Sequence, residues 1–149
     1  MLDLVLAGNL PKLDGIDALV PASALPNFRQ TKAPSSKGDA RVKGALLYSP
    51  SYEFDDGAYL ELARGGGALV FSFSDVLGEK GFRRAIVISK MRLALAACRK
   101  SGCGFVFCTL AKNEAGLRNA RELVAFMAVL GMTQEEKKHS KELLEKLVK

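Results

Sequence analysis

The sequence predicts an α/β chain with a mainly parallel sheet. Short β-rich apolar runs alternate along it with loops and helical patterns. Its 149 residues suit one domain (1–149) with a real core, and are few for a complete eight-stranded barrel. The stretch 104–132 shows the pattern at its fullest: strand, polar loop and helix follow one another with start and stop signals in place.

In that stretch Phe105, Val106, Phe107 and Cys108 form an apolar run of strand length. A loop carrying Lys112, Asn113 and Arg118 follows. Ala120, Leu123, Val124, Met127 and Leu130 then recur at helical spacing. Asn119 with Glu122 reads as a cap for a helix over 120–130, and Gly131 as its stop. Arg118 and Arg121 fall at the helix N-terminus, where the macrodipole favours anions. Their presence makes sense if a phosphate sits there, held by backbone N–H groups and guanidinium forks together. The plainer alternative pairs both arginines with Glu114, Glu122 or another surface acid.

From the start of the chain, residues 2–7 read as a first strand and residues 8–11 as a turn. A short second strand over 16–20 is broken by Pro21. Residues 26–38 are rich in Pro, Ser and Lys without apolar periodicity, so an exposed loop is expected. Its Arg29, Lys32 and Lys37 are either RNA contacts or, more simply, solvated loop charge. A third strand over 42–48 ends at Pro50. A short helix over 58–64 meets the triplet Gly65–Gly67, which matches neither a Walker loop nor a dinucleotide fingerprint and reads as a turn into a strand over 68–73.

Residues 78–81 (GEKG), followed by Phe82, Arg83 and Arg84, imitate the GXXG loop of KH domains. That loop joins two helices, whereas this one follows a strand and at most one helical turn, so a plain turn is expected. The longest helix spans about 82–101. Val87, Ile88, Met91, Leu95 and Cys98 form its main apolar stripe, and Ile86, Leu93 and Ala97 a weaker one. Apolar surface on two sides predicts a helix wedged between a sheet and something else. Arg92 and Arg99 share an edge of the main stripe. Thr133 with Glu136 forms a capping box for a last helix, read as solvated.

The apolar share of 48% and charged share of 26% are those of a soluble globular protein. No run approaches the roughly 20 apolar residues that span a bilayer. The first residues carry Asp3 and no basic leader, so a strand rather than a signal peptide is expected, with the cytoplasm as the default compartment. Cys98, Cys103 and Cys108 make neither a disulfide framework nor, with no histidine nearby, a good zinc site, so buried inert thiols are expected. Net charge is +6, unevenly spread. Residues 1–80 hold 8 Lys/Arg against 10 Asp/Glu, and residues 81–149 hold 14 against 6. A cationic C-terminal half points to a polyanion, nucleic acid being the commonest.

Catalytic equipment is sparse. The single histidine, His139, lies on the charged last helix, which excludes His-rich metal clusters and Ser/His/Asp triads. Asp55 and Asp56 are adjacent and diverge in any regular structure. Asp3, Asp17 and Asp75 lie near strand ends and could hold Mg²⁺, though nothing in their spacing demands it.

Four segments in order resemble the ribonuclease P protein component 3 family. They are ALVFSFSDVL, FRRAIVISKMRLALAACRKSG, GFVFCTLA and LRNARELVAFMAVLGM, and they lie within 67–132, a little under half the chain. The last is similar to the family's ending, with Arg118 and Arg121 at its two arginine positions; Asn119–Ala120 stands where the family has Ser-Pro. The resemblance implies a barrel-like βα fold related to the PHP phosphoesterases, here shortened and distorted (TIM-barrel-like with mainly parallel strands). It implies a non-catalytic RNA-binding subunit of archaeal ribonuclease P. The RNA component, with its own Mg²⁺, would remove the 5′ leader of precursor tRNA, and the protein would bind no cofactor itself. A second protein, component 2, would be the partner, often in a heterotetramer. Arg84, Arg92, Lys112, Arg118 and Arg121 would be the RNA contacts. Two other readings stand beside it: a metal-dependent phosphoesterase of the same barrel superfamily, and a protein-binding scaffold using the second stripe of the long helix.

Overall fold

The computed structural model describes residues 1–6, 9–31 and 40–149. Among these residues six strands run in order: β1 (Leu2–Val5), β2 (Ala18–Pro21), β3 (Phe28–Gln30), β4 (Leu46–Tyr48), β5 (Ala68–Ser72) and β6 (Gly104–Cys108). Five helices join them: α1 (Asp56–Gly65), α2 (Phe73–Leu77), α3 (Gly81–Ser101), α4 (Ala120–Val129) and α5 (Gln134–Leu147). Every strand pair among the described residues is parallel. One sheet has the order β3-β4-β5-β6 and the other pairs β1 with β2.

The two sheets are stitched where β6 ends. Leu110 N donates to Leu4 O at 2.9 Å and Leu6 N to Ala111 O at 2.9 Å. The strands therefore form a row β3-β4-β5-β6-β1-β2, with β2 and β3 at its two ends. The α/β class and the parallel pairing agree with the sequence reading. The short loops and crossover helices α1 and α3 leave parallel pairing as the accessible arrangement.

β4, β5 and most of β6 are buried, as expected of strands covered on both faces. Phe71 of β5 stacks on Phe107 of β6 with ring centroids 4.8 Å apart, and Phe126 of α4 packs edge-on against Phe107. Glycine allows the closest approaches. A Cβ on Gly67 would lie 2.5 Å from Ala45 O, and one on Gly104 would lie 2.6 Å from Leu143 Cδ2.

Local signals located the helix ends well. Asn119 and Thr133 both complete capping boxes, with Glu122 and Glu136. Gly102 ends α3 at φ 75°, and Gly131 follows α4 at φ 85°.

Four expectations need correction. Residues 28–30, within the expected loop, form β3, because they pair in register with β4 (Phe28 with Leu46, Gln30 with Tyr48); residues 32–38, with Lys32 and Lys37, lie outside the described residues. The strand ending at 73 stops at Ser72, and α2 begins at once, so the turn at 78–81 does join two helices. It stands beside a parallel sheet, however, not in a three-stranded KH fold. The second stripe of α3 is open: Leu93 is 73% exposed and Ile86 39%. Finally, α5 is not simply solvated. Ser140 and Leu144 are buried, and Leu143 and Leu147 press on Gly104 and Gly44 at the N-terminal ends of β6 and β4.

Candidate functional site

With α5 at the N-terminal ends, the C-terminal ends of the strands are left open. They surround a cavity of about 430 Å³, within the size range of small-molecule sites. Gln30, Tyr48 and Ser72 come from the ends of β3, β4 and β5, Ser74 and Asp75 from α2, and Lys112 and Asn113 from the loop after β6. Strand C-terminal ends are the usual ligand side of parallel α/β folds.

Asp75 is the fixed point of this cavity. Tyr48 donates its hydroxyl to both carboxylate oxygens, at 2.9 and 2.8 Å, and Tyr52 donates to Oδ2 at 2.6 Å. The Tyr52 hydroxyl also accepts from Ser72 N at 2.9 Å. To reach that position Tyr52 adopts φ 53°, a left-handed conformation disfavoured for a side chain of this size. Burial raises the Asp75 carboxyl above its ordinary value of 3.8, against the lowering effect of the two tyrosine hydroxyls and of the Lys112 charge. Burial and the Asp75 charge push the Tyr48 and Tyr52 hydroxyls up, so both stay protonated donors.

Beneath this lies a second carboxylate. Asp3 of β1 is fully buried and accepts from Thr109 N at 2.7 Å and Thr109 Oγ1 at 2.6 Å. Desolvation raises its pKa despite those bonds. Asp17, by contrast, is exposed and paired with the amino group of Met1, which lowers its pKa. The three aspartates singled out from the sequence thus have separate partners. Among the described residues no three His, Cys, Asp or Glu side chains converge on one point. His139 is exposed on α5. The three cysteines are buried and free, and burial pushes the Cys108 thiol up.

The five cationic side chains singled out from the sequence are placed by the loop after β6, by α3 and by the start of α4. Lys112 stands on the rim of the cavity. Arg118 lines an apolar groove of about 360 Å³ between α2, α3 and α4, with Val76, Ile88 and Phe126. Arg84 and Arg92 flank Ile88 one helical turn to either side on α3. Arg84 Nε donates to Val76 O at 3.0 Å and Glu79 O at 2.8 Å. Arg92 reaches Val129 O at 2.7 Å and so satisfies a terminal carbonyl of α4. Arg118 donates to the carbonyls of Ala115 and Leu117. Arg121 is exposed. Among the described residues none of the five pairs with a carboxylate; the bidentate pair belongs to Arg99 and Glu136, at 2.7 and 2.8 Å. The carboxylate pairing weighed for Arg118 and Arg121 is therefore absent among the described residues.

The N-terminus of α4 differs from the anion site expected there. Ala120 N donates to Asp14 O, Glu122 N to Asn119 Oδ1 and Leu123 N to Asn119 O, each at 2.9–3.1 Å. The fold itself occupies these three amides, which leaves the guanidinium groups as the larger share of the donors a phosphate would meet. Nothing local announces the contact with Asp14, which lies on the β1–β2 connection. The Tyr48–Tyr52–Asp75 cluster was missed for the same reason, though two tyrosines around a strand end were visible as a signal.

No helix among the described residues is long and apolar enough to cross a membrane. No protein-family model matches the sequence, and no curated protein matches it. A solved structure does resemble the fold: one chain of the cryo-EM structure of archaeal ribonuclease P with mature tRNA, at a TM-score of 0.66 and 19% identity. The likeness covers 81% of this chain and 66% of that one, a little under two thirds of its length. At that identity the likeness establishes a shared α/β fold.

Proposed function

We propose that this chain is a protein subunit of archaeal ribonuclease P, of the component 3 kind, which binds RNA and leaves bond-breaking to the RNA component. The observation that carries this reading is the fold likeness, over 81% of the chain, to a chain of archaeal ribonuclease P with mature tRNA. The sequence resemblance over 67–132 supports the choice of subunit. The fold is read as a shortened TIM-barrel-like arrangement. The row β3-β4-β5-β6-β1-β2 supports this, because its strands keep chain order when followed around from β1.

The chemistry is electrostatic. Arg84, Arg92, Lys112, Arg118 and Arg121 neutralise phosphates and release condensed counterions, which favours one folded conformation of the RNA and so raises the effective Mg²⁺ affinity of the RNA's own site. Guanidinium groups that bond only to carbonyl oxygens keep their full positive charge, and Arg118 retains donors for a phosphate. Component 2 is the expected protein partner, in a heterotetramer, and the cell compartment is the cytoplasm.

Reconstitution tests this reading. Adding the protein to archaeal ribonuclease P RNA with the other protein subunits should raise 5′-leader removal from precursor tRNA at limiting Mg²⁺. No effect of the protein on cleavage or RNA binding overturns it. Turnover of a generic phosphodiester by the protein with Mn²⁺ alone would instead favour a phosphoesterase.

A further inference from the structure

We propose that the cavity at the C-terminal ends of the strands receives one unstacked ribonucleotide, with a ribose hydroxyl on Asp75 and the phosphate on Lys112. This rests on the RNA-binding reading above and specifies what a second, non-arginine site would take.

The argument is one of donors and acceptors. An ionised carboxylate only accepts, with about four lone-pair positions. Tyr48 spans both oxygens and Tyr52 takes a further position on Oδ2, which leaves Oδ1 room for one more donor. Both tyrosines hold the group in one orientation, so the acceptor is preorganised. A ligand must therefore bring an O–H or N–H to that point. Lys112, at the rim, is a donor and a cation, and asks for an anion.

Gln30 and Asn113, in the same lining, offer amides that both donate and accept. The Ser74 Oγ, in the same wall, is buried with no partner among the described residues. Within the RNA-binding reading, a ribonucleotide supplies all three: a hydroxyl donor, an anion and polar base edges. A bare phosphate would leave Asp75 facing negative charge. A divalent cation would meet an oxygen pair that already takes tyrosine protons on one side, with no second carboxylate among the described residues of the lining to share it. The 2′-hydroxyl is also what separates RNA from DNA, so the site predicts a sugar preference that phosphate-binding arginines do not supply.

The test uses the full chain, a mixed-sequence single-stranded RNA oligonucleotide, the matched DNA oligonucleotide and a mixture of free nucleoside 5′-monophosphates. Wild type should bind the RNA about tenfold more tightly than the DNA, the size of one hydrogen bond to a charged group. Ala115→Trp, which blocks the opening from an exposed loop position, and Asp75→Asn should each abolish that preference. Ser74→Ala should reduce it with unchanged thermal stability. Arg118→Ala with Arg121→Ala should weaken RNA and DNA alike and keep the preference.

Equal binding of RNA and DNA by wild type, or a preference that survives Ala115→Trp, overturns the cavity proposal and leaves the RNA-binding reading standing. Wild type that binds no RNA overturns both. Monophosphates that bind the cavity without competing against the RNA overturn the assignment to RNA, since the occupant is then a free nucleotide. Ala115→Trp carries the conclusion if Asp75→Asn fails to fold.

Discussion

The carboxylate of Asp3 and the backbone and hydroxyl of Thr109 lie 106 residues apart in the chain and share two hydrogen bonds, of 2.7 and 2.6 Å, with both residues fully buried. This is where the two sheets become one row. β1 meets the end of β6 through Asp3, and the ladder continues at Leu110 and Ala111. Removing the carboxylate strands two buried donors. Asp3→Ala should therefore lower stability by roughly 2–4 kcal/mol, and Asp3→Asn, which keeps an acceptor, by less. Urea unfolding measures this. A loss from Asp3→Ala within about 0.5 kcal/mol, the range of neutral surface changes, would mean the stitch is unimportant.

The pH dependence follows from two carboxyls raised by burial. Asp3 and Asp75 both sit above their ordinary value of 3.8, so the folded state holds their protons more tightly than the unfolded state. Their contribution is complete below pH 3.8 and declines as pH rises through the raised folded values. Glu136 runs the other way. Arg99 lowers it from 4.5, so its stabilisation is present above pH 4.5 and fades as pH falls through the lowered value. The variant carrying Asp3→Asn and Asp75→Asn should show a flatter decline of unfolding free energy above pH 3.8 than wild type. Identical slopes would contradict the burial argument.

Gly67 is required by its surroundings rather than by its backbone angles. A Cβ there would stand 2.5 Å from Ala45 O and 2.9 Å from Ala45 N, main-chain atoms of the segment that leads into β4. Neither can move without disturbing the β4–β5 pairing. Gly67→Ala should cost roughly 1–3 kcal/mol or more. Gly66→Ala, next to it, meets no neighbour and should lose only about 1 kcal/mol from its left-handed φ of 68°. Equal losses in a thermal melt would show that crowding is not the cause.

Two classes of arginine should separate. Arg99 ties α3 to the start of α5 through Glu136 and to Gly131 O. It is partly exposed, so solvent screening limits Arg99→Ala to about 1 kcal/mol of stability, without a change in RNA affinity. Arg118→Ala with Arg121→Ala should leave the melting temperature within a few degrees of wild type. It should weaken RNA binding and reduce the salt dependence by about one unit for each lost phosphate contact. An unchanged affinity and salt slope in filter binding would remove these two residues from the interface.

The sequence alone determined whatever is decided within a helical turn or along one strand. Capping boxes at Asn119 and Thr133, stops at Gly102 and Gly131 and the buried runs of β5 and β6 were legible, because each signal and its partner lie within a few residues. β3 was not legible. Its one apolar residue, Phe28, carries no periodicity, and its strand character comes from pairing with β4. The charge of the C-terminal half could be counted, but which amides at the start of α4 remained open to an anion could not. Asp14, from the β1–β2 connection, takes one of them. The cavity around Asp75 and the Asp3–Thr109 stitch exist only once β1, β4, β5 and β6 lie side by side. Contacts of that kind depend on which distant segments pair, and in a parallel sheet the pairing is chosen by the packing of the whole core rather than by any neighbouring residue.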